Sequence, residues 1–182
     1  MRLQDVRWVT HEVSLPECDA APFSIREADR ENLCHSFGES PKDDLTGLSI
    51  WASAYVLAHW LVVEEGSLEG KAVMELGSGC GLAGIALAKN TAASEVVLTD
   101  FPTNTLENLR YNVALNAHGK PGERGPAVRS LDWTDKSTWP DPGSIDLVIG
   151  SDLVYDDGMA SLLAPLVAHV LRPGGNFIHI FP

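Results

Sequence analysis

KAVMELGSGCGLAG, residues 71–84, is the stretch that decides the fold. Ala72 to Leu76 form a short apolar run of the length of a buried strand. Gly77, Gly79 and Gly81 then alternate, and helix-forming residues follow from Leu82. Strand, glycine turn and helix predict the first unit of an α/β domain with a doubly wound, mostly parallel sheet. The N-terminus of such a helix offers unpaired N–H groups to an anionic ligand.

The glycines allow two interpretations besides a turn that only packs strand on helix. Residues 79–84 fit G-x-G-x-x-G, the dinucleotide fingerprint, with Asp100 near the position of its ribose-binding acid. Glu75 followed by glycines at 77, 79 and 81 instead resembles the first motif of the class I methyltransferases, which use S-adenosylmethionine. The loop alone does not decide between the two cofactors.

Length and composition limit the class of protein. The chain of 182 residues is long enough for one sizeable domain, and its formal charge of −12 argues against a nucleic-acid-binding face. The three cysteines and six histidines lack metal-ligand spacing, so we expect no metal and no disulfide framework. No signal peptide or membrane-spanning run is visible. We therefore expect a monomer of the cytoplasm or nucleus that binds no membrane.

The segment before residue 46 is predicted to be an N-terminal extension, followed by a methyltransferase-like domain over residues 46–182. Val6 to Leu15 is interpreted as an edge strand or a hairpin arm. A helix is expected over residues 50–64, with Ser49 as its N-cap. Helical spacing places its apolar face at these residues: Trp51, Ala54, Tyr55, Ala58, Leu61 and Val62.

TGLSIWASAYVLAHWL, residues 46–61, resembles the signature of the lysine methyltransferase family 16 group. The resemblance covers roughly residues 46–181. It implies that Trp51 lies beside the S-adenosylmethionine pocket. Periodicity alone favours a core tryptophan.

The second and third predicted strands also end in candidate ligand residues. Residues 95–100 end at Asp100, whose carboxylate can accept hydrogen bonds from the two ribose hydroxyls or cap the next helix. That helix, residues 103–116, carries asparagines every fourth residue, a stripe interpreted as mostly solvated, with Asn104 near enough to Asp100 to help a ligand. Residues 127–131 form the third strand. The family resemblance implies that Asp132 and Trp133, which follow it, flank the adenine.

The fourth strand, residues 144–150, leads into SDLVY, residues 151–155. D-L-V-Y resembles the D-x-x-[YF] motif of the same family, which implies that Asp152 and Tyr155 face the substrate lysine and that Ser151 lies at the cofactor. The alternative for the pair is a loop acid and a core tyrosine. A helix over residues 158–171 and a fifth strand over 176–181 follow. Class I methyltransferases add further strands, so the chain is expected to be a fragment lacking the last strands.

Together the motifs indicate a protein-lysine N-methyltransferase that uses S-adenosylmethionine and acts on a protein with a target lysine. The resemblance assigns cofactor contacts to Gly77, Gly79 and Gly81, whereas Glu75 either binds the methionine amino group or braces the glycine loop. Asp152 and Tyr155 are the expected catalytic residues. Two alternatives stay open: an NAD-dependent oxidoreductase, and a non-catalytic binding protein.

Overall fold

The computed structural model describes residues 6–16, 20–29, 44–63, 68–117, 125–154 and 158–181. Within them, seven strands form a hairpin and a five-stranded sheet: β1 Trp8–Val13, β2 Phe23–Ala28, β3 Ala72–Glu75, β4 Glu95–Asp100, β5 Ala127–Ser130, β6 Ile145–Ser151 and β7 Leu171–Ile180. Four α-helices accompany them: α1 Ala52–Val63, α2 Leu82–Asn90, α3 Thr103–Asn116 and α4 Met159–Val170. Short 3-10 helices cover Thr46–Leu48 and Lys136–Thr138. No helix in these ranges is long and apolar enough to cross a membrane.

The large sheet is parallel throughout, in the order β5-β4-β3-β6-β7. This order confirms the doubly wound α/β fold, because β3 lies at the centre and the chain winds outward from it in both directions. The predicted fifth strand begins earlier than expected, at Leu171. The register between β6 and β7 shifts between the pairs Ile145–Leu171 and Leu147–Asn176. The sequence Arg-Pro-Gly-Gly, residues 172–175, therefore forms an irregularity within this strand pairing.

Helices cover both faces of the sheet, as buried parallel strands require. One apolar cluster joins residues of α1, α2, α3 and the hairpin to one face of the sheet, including Leu57, Ile85 and Leu109. A second cluster joins α4 to the other face through Leu163 and Leu166. Ligands bind at the carboxyl edge of the strands in such folds.

The predicted apolar face of α1 is partly wrong. The helix buries Ser53, Leu57, Ala58 and Leu61 and begins at Ala52, so Ser49 follows the short 3-10 helix instead of capping α1. Tyr55, which helical spacing predicts on the buried face, is 40% exposed. Because α1 is apolar on nearly every side, the period of 3.6 residues could not identify the side that faces the sheet.

The hairpin is attached to α3 through amide side chains. This arrangement corrects the interpretation of the asparagine stripe as mostly solvated, since Asn108 and Asn112 are fully buried. Asn112 accepts from the Arg26 N–H at 2.9 Å and donates to the Arg26 carbonyl at 2.8 Å. Asn116 makes the same pair of bonds to Ser24, at 3.0 and 2.7 Å. The edge of β2 that faces away from β1 therefore forms hydrogen bonds with asparagine side chains, in the place where a further strand could otherwise bind.

Candidate functional site

The candidate residues gather at the carboxyl edge of the sheet because neighbouring parallel strands end there. Asp100 ends β4, the glycine loop follows β3, and Ser151 ends β6. Asp132 lies just beyond β5 on the far side of β4. The strand order therefore places Asp100 on one side of the glycine loop and Asp152 on the other.

The glycine loop takes a backbone conformation that other residues adopt at a cost. Gly77, Gly79 and Gly81 have φ values of 57°, 52° and 83°. A Cβ atom on Gly77 would lie 2.7 Å from Leu153 Cδ2 and 3.8 Å from Trp133 Cζ2. The D-W and D-L-V-Y segments therefore both approach this loop, and Leu153 can come this close only because Gly77 has no side chain.

Asp100 holds the glycine loop against the tip of β4. One carboxylate oxygen accepts from the Gly79 N–H at 2.8 Å, and the other accepts from the Phe101 N–H at 2.8 Å. Burial raises the pKa of Asp100 to about 6, although the two N–H groups act in the opposite direction. A carboxylate has about four acceptor positions, so these two bonds leave capacity for ribose hydroxyls. The half-buried side chain thus fits the predicted ribose contact.

Glu75 is buried, with 3% of its surface exposed, and its carboxylate accepts from the Gly84 N–H at 3.2 Å. Gly84 lies in the first turn of α2, whose N–H groups lack partners within the helix. Burial raises the pKa of Glu75 to about 8, outweighing the bonds from Ser78 and Gly84 that favour its charged form. Glu75 therefore contacts the first turn of α2, and its two predicted roles, binding of the methionine amino group and bracing of the glycine loop, stay predictions.

The segment after β5 folds back on itself. One oxygen of Asp132 accepts from the Thr134 N–H at 2.8 Å and from the Thr134 hydroxyl at 2.7 Å. The Asp132 carbonyl accepts from the Trp139 indole at 3.2 Å. These bonds fix the turn that holds the half-buried Trp133 ring near Gly77.

Trp51 lies at the start of α1 with 46% of its surface exposed, so it is not the core residue that periodicity favoured. Its indole N–H donates to the Thr46 carbonyl at 3.1 Å. An indole ring held in place at the surface supplies a large apolar contact area with one polar tip already satisfied. This placement fits the role that the family resemblance implies for Trp51.

Asp152 follows β6 in a left-handed conformation, with φ of 53°, the one non-glycine residue with positive φ among those described. This conformation costs roughly 1–2 kcal/mol for a residue with a side chain. Its carboxylate accepts from the Ser53 hydroxyl at 2.9 Å, and its N–H donates to the Ile180 carbonyl at 2.9 Å. Tyr155, its predicted partner, lies outside the described residues.

Sequence reasoning missed two residues at this turn. Ser53 lies on the buried side of α1, and His179 on β7 accepts the Leu153 N–H at 3.1 Å. Ser53 lies within residues 46–61, which carry the family resemblance, but nothing in that stretch distinguishes it, and His179 stands in no motif. The only sequence signal for His179 is that it lies in the fifth predicted strand, residues 176–181.

Within the described part of the chain, no group of three or more histidine, cysteine or acidic side chains could hold a metal ion. The described residues do suit a nucleoside-bearing cofactor. Asp100 keeps acceptor capacity for ribose, and Gly77 and Gly79 leave the backbone of the neighbouring loop without side chains.

Comparison with known proteins identifies the family. The lysine methyltransferase family profile matches residues 35–181, and the chain belongs to this family. The chain is 30% identical over 183 residues to protein-lysine N-methyltransferase EFM3 of Chaetomium thermophilum, covering 96% of this chain and 52% of that protein. It is 34% identical over 130 residues to calmodulin-lysine N-methyltransferase of Arabidopsis thaliana, covering 71% of this chain and 42% of that one. The chain thus spans about half the length of the curated relatives it matches.

Solved structures support the fold. Phosphoethanolamine N-methyltransferase 1 of Haemonchus contortus, in complex with phosphoethanolamine and S-adenosylhomocysteine, superposes with a TM-score of 0.52 at 19% identity. The match covers 69% of this chain and 25% of that one. The fold is that of the class I methyltransferases, and the family uses S-adenosylmethionine.

Proposed function

We propose that this chain is an S-adenosylmethionine-dependent methyltransferase that acts on a lysine side chain of another protein. The observation that carries the proposal is the placement of two carboxylates, Asp100 and Asp152, on opposite sides of one glycine loop at the carboxyl edge of the sheet. One suits a ribose and the other suits an ammonium group. The two roles can thus be served from β4 and β6, the strands on either side of β3.

The cofactor would be held by residues that follow or end β3, β4, β5 and β6, together with Trp51 beside α1. In the proposed assignment, Asp100 accepts from the ribose hydroxyls, and the glycine loop lets the backbone approach the methionine part. Asp132 and Trp133 flank the adenine, while Trp51 covers the pocket from α1. Glu75 would brace the glycine loop. Ser151, the residue before Asp152, would lie at the cofactor.

Asp152 and Tyr155 would serve the substrate. A lysine amine has a pKa of about 10.4 in water, so it arrives mostly as an ammonium ion. The Asp152 carboxylate would accept a hydrogen bond from it, and Tyr155 would orient it. When bound, S-adenosylmethionine would supply a methyl group on a positively charged sulfur and would leave as the neutral thioether S-adenosylhomocysteine. The lysine amine would have to release its proton to water before it could accept the methyl group. Holding the reacting groups in fixed positions lowers the activation barrier of methyl transfer, because their rotational and translational freedom is lost on binding, before the reaction.

Two observations support a protein substrate. The relatives named above are described as methyltransferases of protein lysines, one of them acting on calmodulin. The net charge of −12 also favours encounter with a basic, lysine-bearing partner over a polyanion.

Binding of S-adenosylmethionine, measured by calorimetry, tests the cofactor half. We expect wild-type chain to bind it and Asp100→Ala to bind at least about tenfold more weakly, because one hydrogen-bonded charged contact is worth about 1.5–3 kcal/mol. Asp146→Ala is the matched control. Its carboxylate also accepts a backbone N–H of another strand, from Ala72 at 2.8 Å, but near the start of β6. Binding of NAD instead of S-adenosylmethionine, or equal affinities in wild type and Asp100→Ala, would contradict the proposal.

A further inference from the structure

The turn after β6 is fixed by contacts from two other elements. Ser53 on α1 donates to the Asp152 carboxylate at 2.9 Å. On β7, the Ile180 carbonyl accepts from the Asp152 N–H at 2.9 Å, and His179 Nε2 accepts from the Leu153 N–H at 3.1 Å. A left-handed conformation at a non-glycine residue persists only where surrounding contacts enforce it. Two of these bonds hold Asp152 and the third holds Leu153, the next residue.

The His179 bond depends on the protonation state of the imidazole. Nε2 can accept from an N–H only when it carries no proton, so the neutral ring with its proton on Nδ1 is required. The ring stacks between Phe177 and Phe181, with centroids 6.0 and 5.4 Å away, and its register partner on β6 is Gly150. Burial lowers the pKa of His179, and the Asp152 carboxylate, the charged group that acts on it, opposes this effect. The environment of the ring therefore favours the accepting form at neutral pH.

Leu153 connects this bond to the glycine loop. Its side chain is 3% exposed, and its Cδ2 atom would lie 2.7 Å from a Cβ placed on Gly77. Its Cδ1 atom would clash with a Cβ placed on Gly150. Leu153 thus fills the space that both glycines leave open, and a shift of its backbone would move the turn relative to both the loop and β6.

We propose that His179 and Ser53 are positioning residues that lock the Asp152–Leu153 turn, and that the lock holds only while His179 is neutral. The consequence for catalysis rests on the proposed function, because it assumes that Asp152 receives the substrate amine. The lock itself does not depend on any activity. Its effect on methyl transfer would be a loss of rate below neutral pH that is separate from the protonation of the substrate lysine.

Two substitutions separate the hydrogen bond from the packing. His179→Phe keeps an aromatic ring in the stack with Phe177 and Phe181 but cannot accept the Leu153 N–H. His179→Gln offers an amide oxygen as acceptor and does not titrate, but it gives up the stack. Ser53→Ala removes the contact to Asp152 on the other side of the turn.

Hydrogen exchange of the Leu153 amide, resolved by NMR and expressed as a protection factor, tests the lock directly. We expect protection to fall at least about tenfold in His179→Phe at pH 7.5 and to stay within threefold of wild type in His179→Gln. In wild type it should fall as the pH drops through the pKa of His179, whereas in His179→Gln it should not. Equal protection in wild type and His179→Phe, or the same pH dependence in wild type and His179→Gln, would overturn the proposal. If His179→Phe does not fold, the comparison of wild type with His179→Gln decides.

Kinetics separate the lock from the proposed function. For methyl transfer, we expect His179→Phe and Ser53→Ala to lower kcat about tenfold while the Kd for S-adenosylmethionine stays within twofold. His179→Gln should lack the loss of rate at low pH. Unchanged kcat in both His179→Phe and Ser53→Ala would overturn the positioning role. If wild type shows the expected Leu153 protection pattern but has no transferase activity, the proposed function is refuted. The proposal that His179 and Ser53 position the turn is then still supported.

Discussion

Asn112→Ala is expected to destabilise the fold strongly. The Asn112 amide is fully buried and makes three hydrogen bonds: from the Arg26 N–H at 2.9 Å, to the Arg26 carbonyl at 2.8 Å and to the Cys80 carbonyl at 2.9 Å. The Arg26 carbonyl keeps a bond from Asn108 at 3.1 Å. The substitution therefore removes partners mainly from the Arg26 N–H and the Cys80 carbonyl.

A buried polar group left without a partner costs about 1–3 kcal/mol. We expect the free energy of unfolding to fall by about 3 kcal/mol for the two groups together, because water near the partly buried Arg26 can replace part of the lost bonding. This is a large part of the 5–15 kcal/mol that typically stabilises a domain. Urea unfolding followed by circular dichroism would measure it, and the Tm should fall by about 6–12 °C.

Asn104→Ala is the matched control, since it makes the same change on the same helix. The half-buried Asn104 donates to the Asp44 carbonyl at 3.4 Å and accepts from the Thr105 N–H at 2.8 Å, both near the start of α3. We expect a loss of about 1 kcal/mol or less. If Asn112→Ala costs no more than Asn104→Ala, the amide contacts do not hold the hairpin to α3.

Two further substitutions test residues at the candidate site. Because the pKa of Glu75 is about 8 in the folded chain and near 4.5 when unfolded, its stabilising contribution is present below pH 4.5 and is lost as the pH rises to about 8. The free energy of unfolding of Glu75→Gln should therefore fall less than that of wild type between pH 5 and 8; parallel curves would contradict the role of burial. Trp51→Ala should change unfolding by about 0.5 kcal/mol or less, because the ring is 46% exposed, yet weaken S-adenosylmethionine binding measured by calorimetry. A large loss of stability with unchanged binding would make Trp51 a structural residue.

The strands and the glycine loop could be predicted because buried parallel strands appear in the sequence as short apolar runs and the loop glycines fix a turn after the first of them. Asp100 could be placed for the same reason, since it directly ends a strand. The face of α1 could not, because an all-apolar helix carries no periodic signal. Spacing therefore predicts Trp51 in the core, whereas the structure has it at the surface.

Contacts between residues far apart in the sequence account for the rest. Asn112 pairs with Arg26, 86 residues away, and nothing in the spacing of the asparagines shows that a strand edge will cover them. Ser53 and Asp152 are separated by 99 residues, and serine on a helix face has many possible partners. Local patterns identify which residues end the strands, whereas the positioning contacts depend on how elements from distant parts of the chain pack.

Transfer of a radiolabelled methyl group from S-adenosylmethionine to protein tests the central claim most directly. Wild-type chain and Asp152→Asn would be incubated with a mixture of basic proteins, and the labelled products hydrolysed to amino acids. We predict label in methylated lysine with wild type and at least about tenfold less with Asp152→Asn, which keeps the size of the side chain but loses its charge. Label in an amino acid other than lysine, or equal label with both chains, would contradict the account.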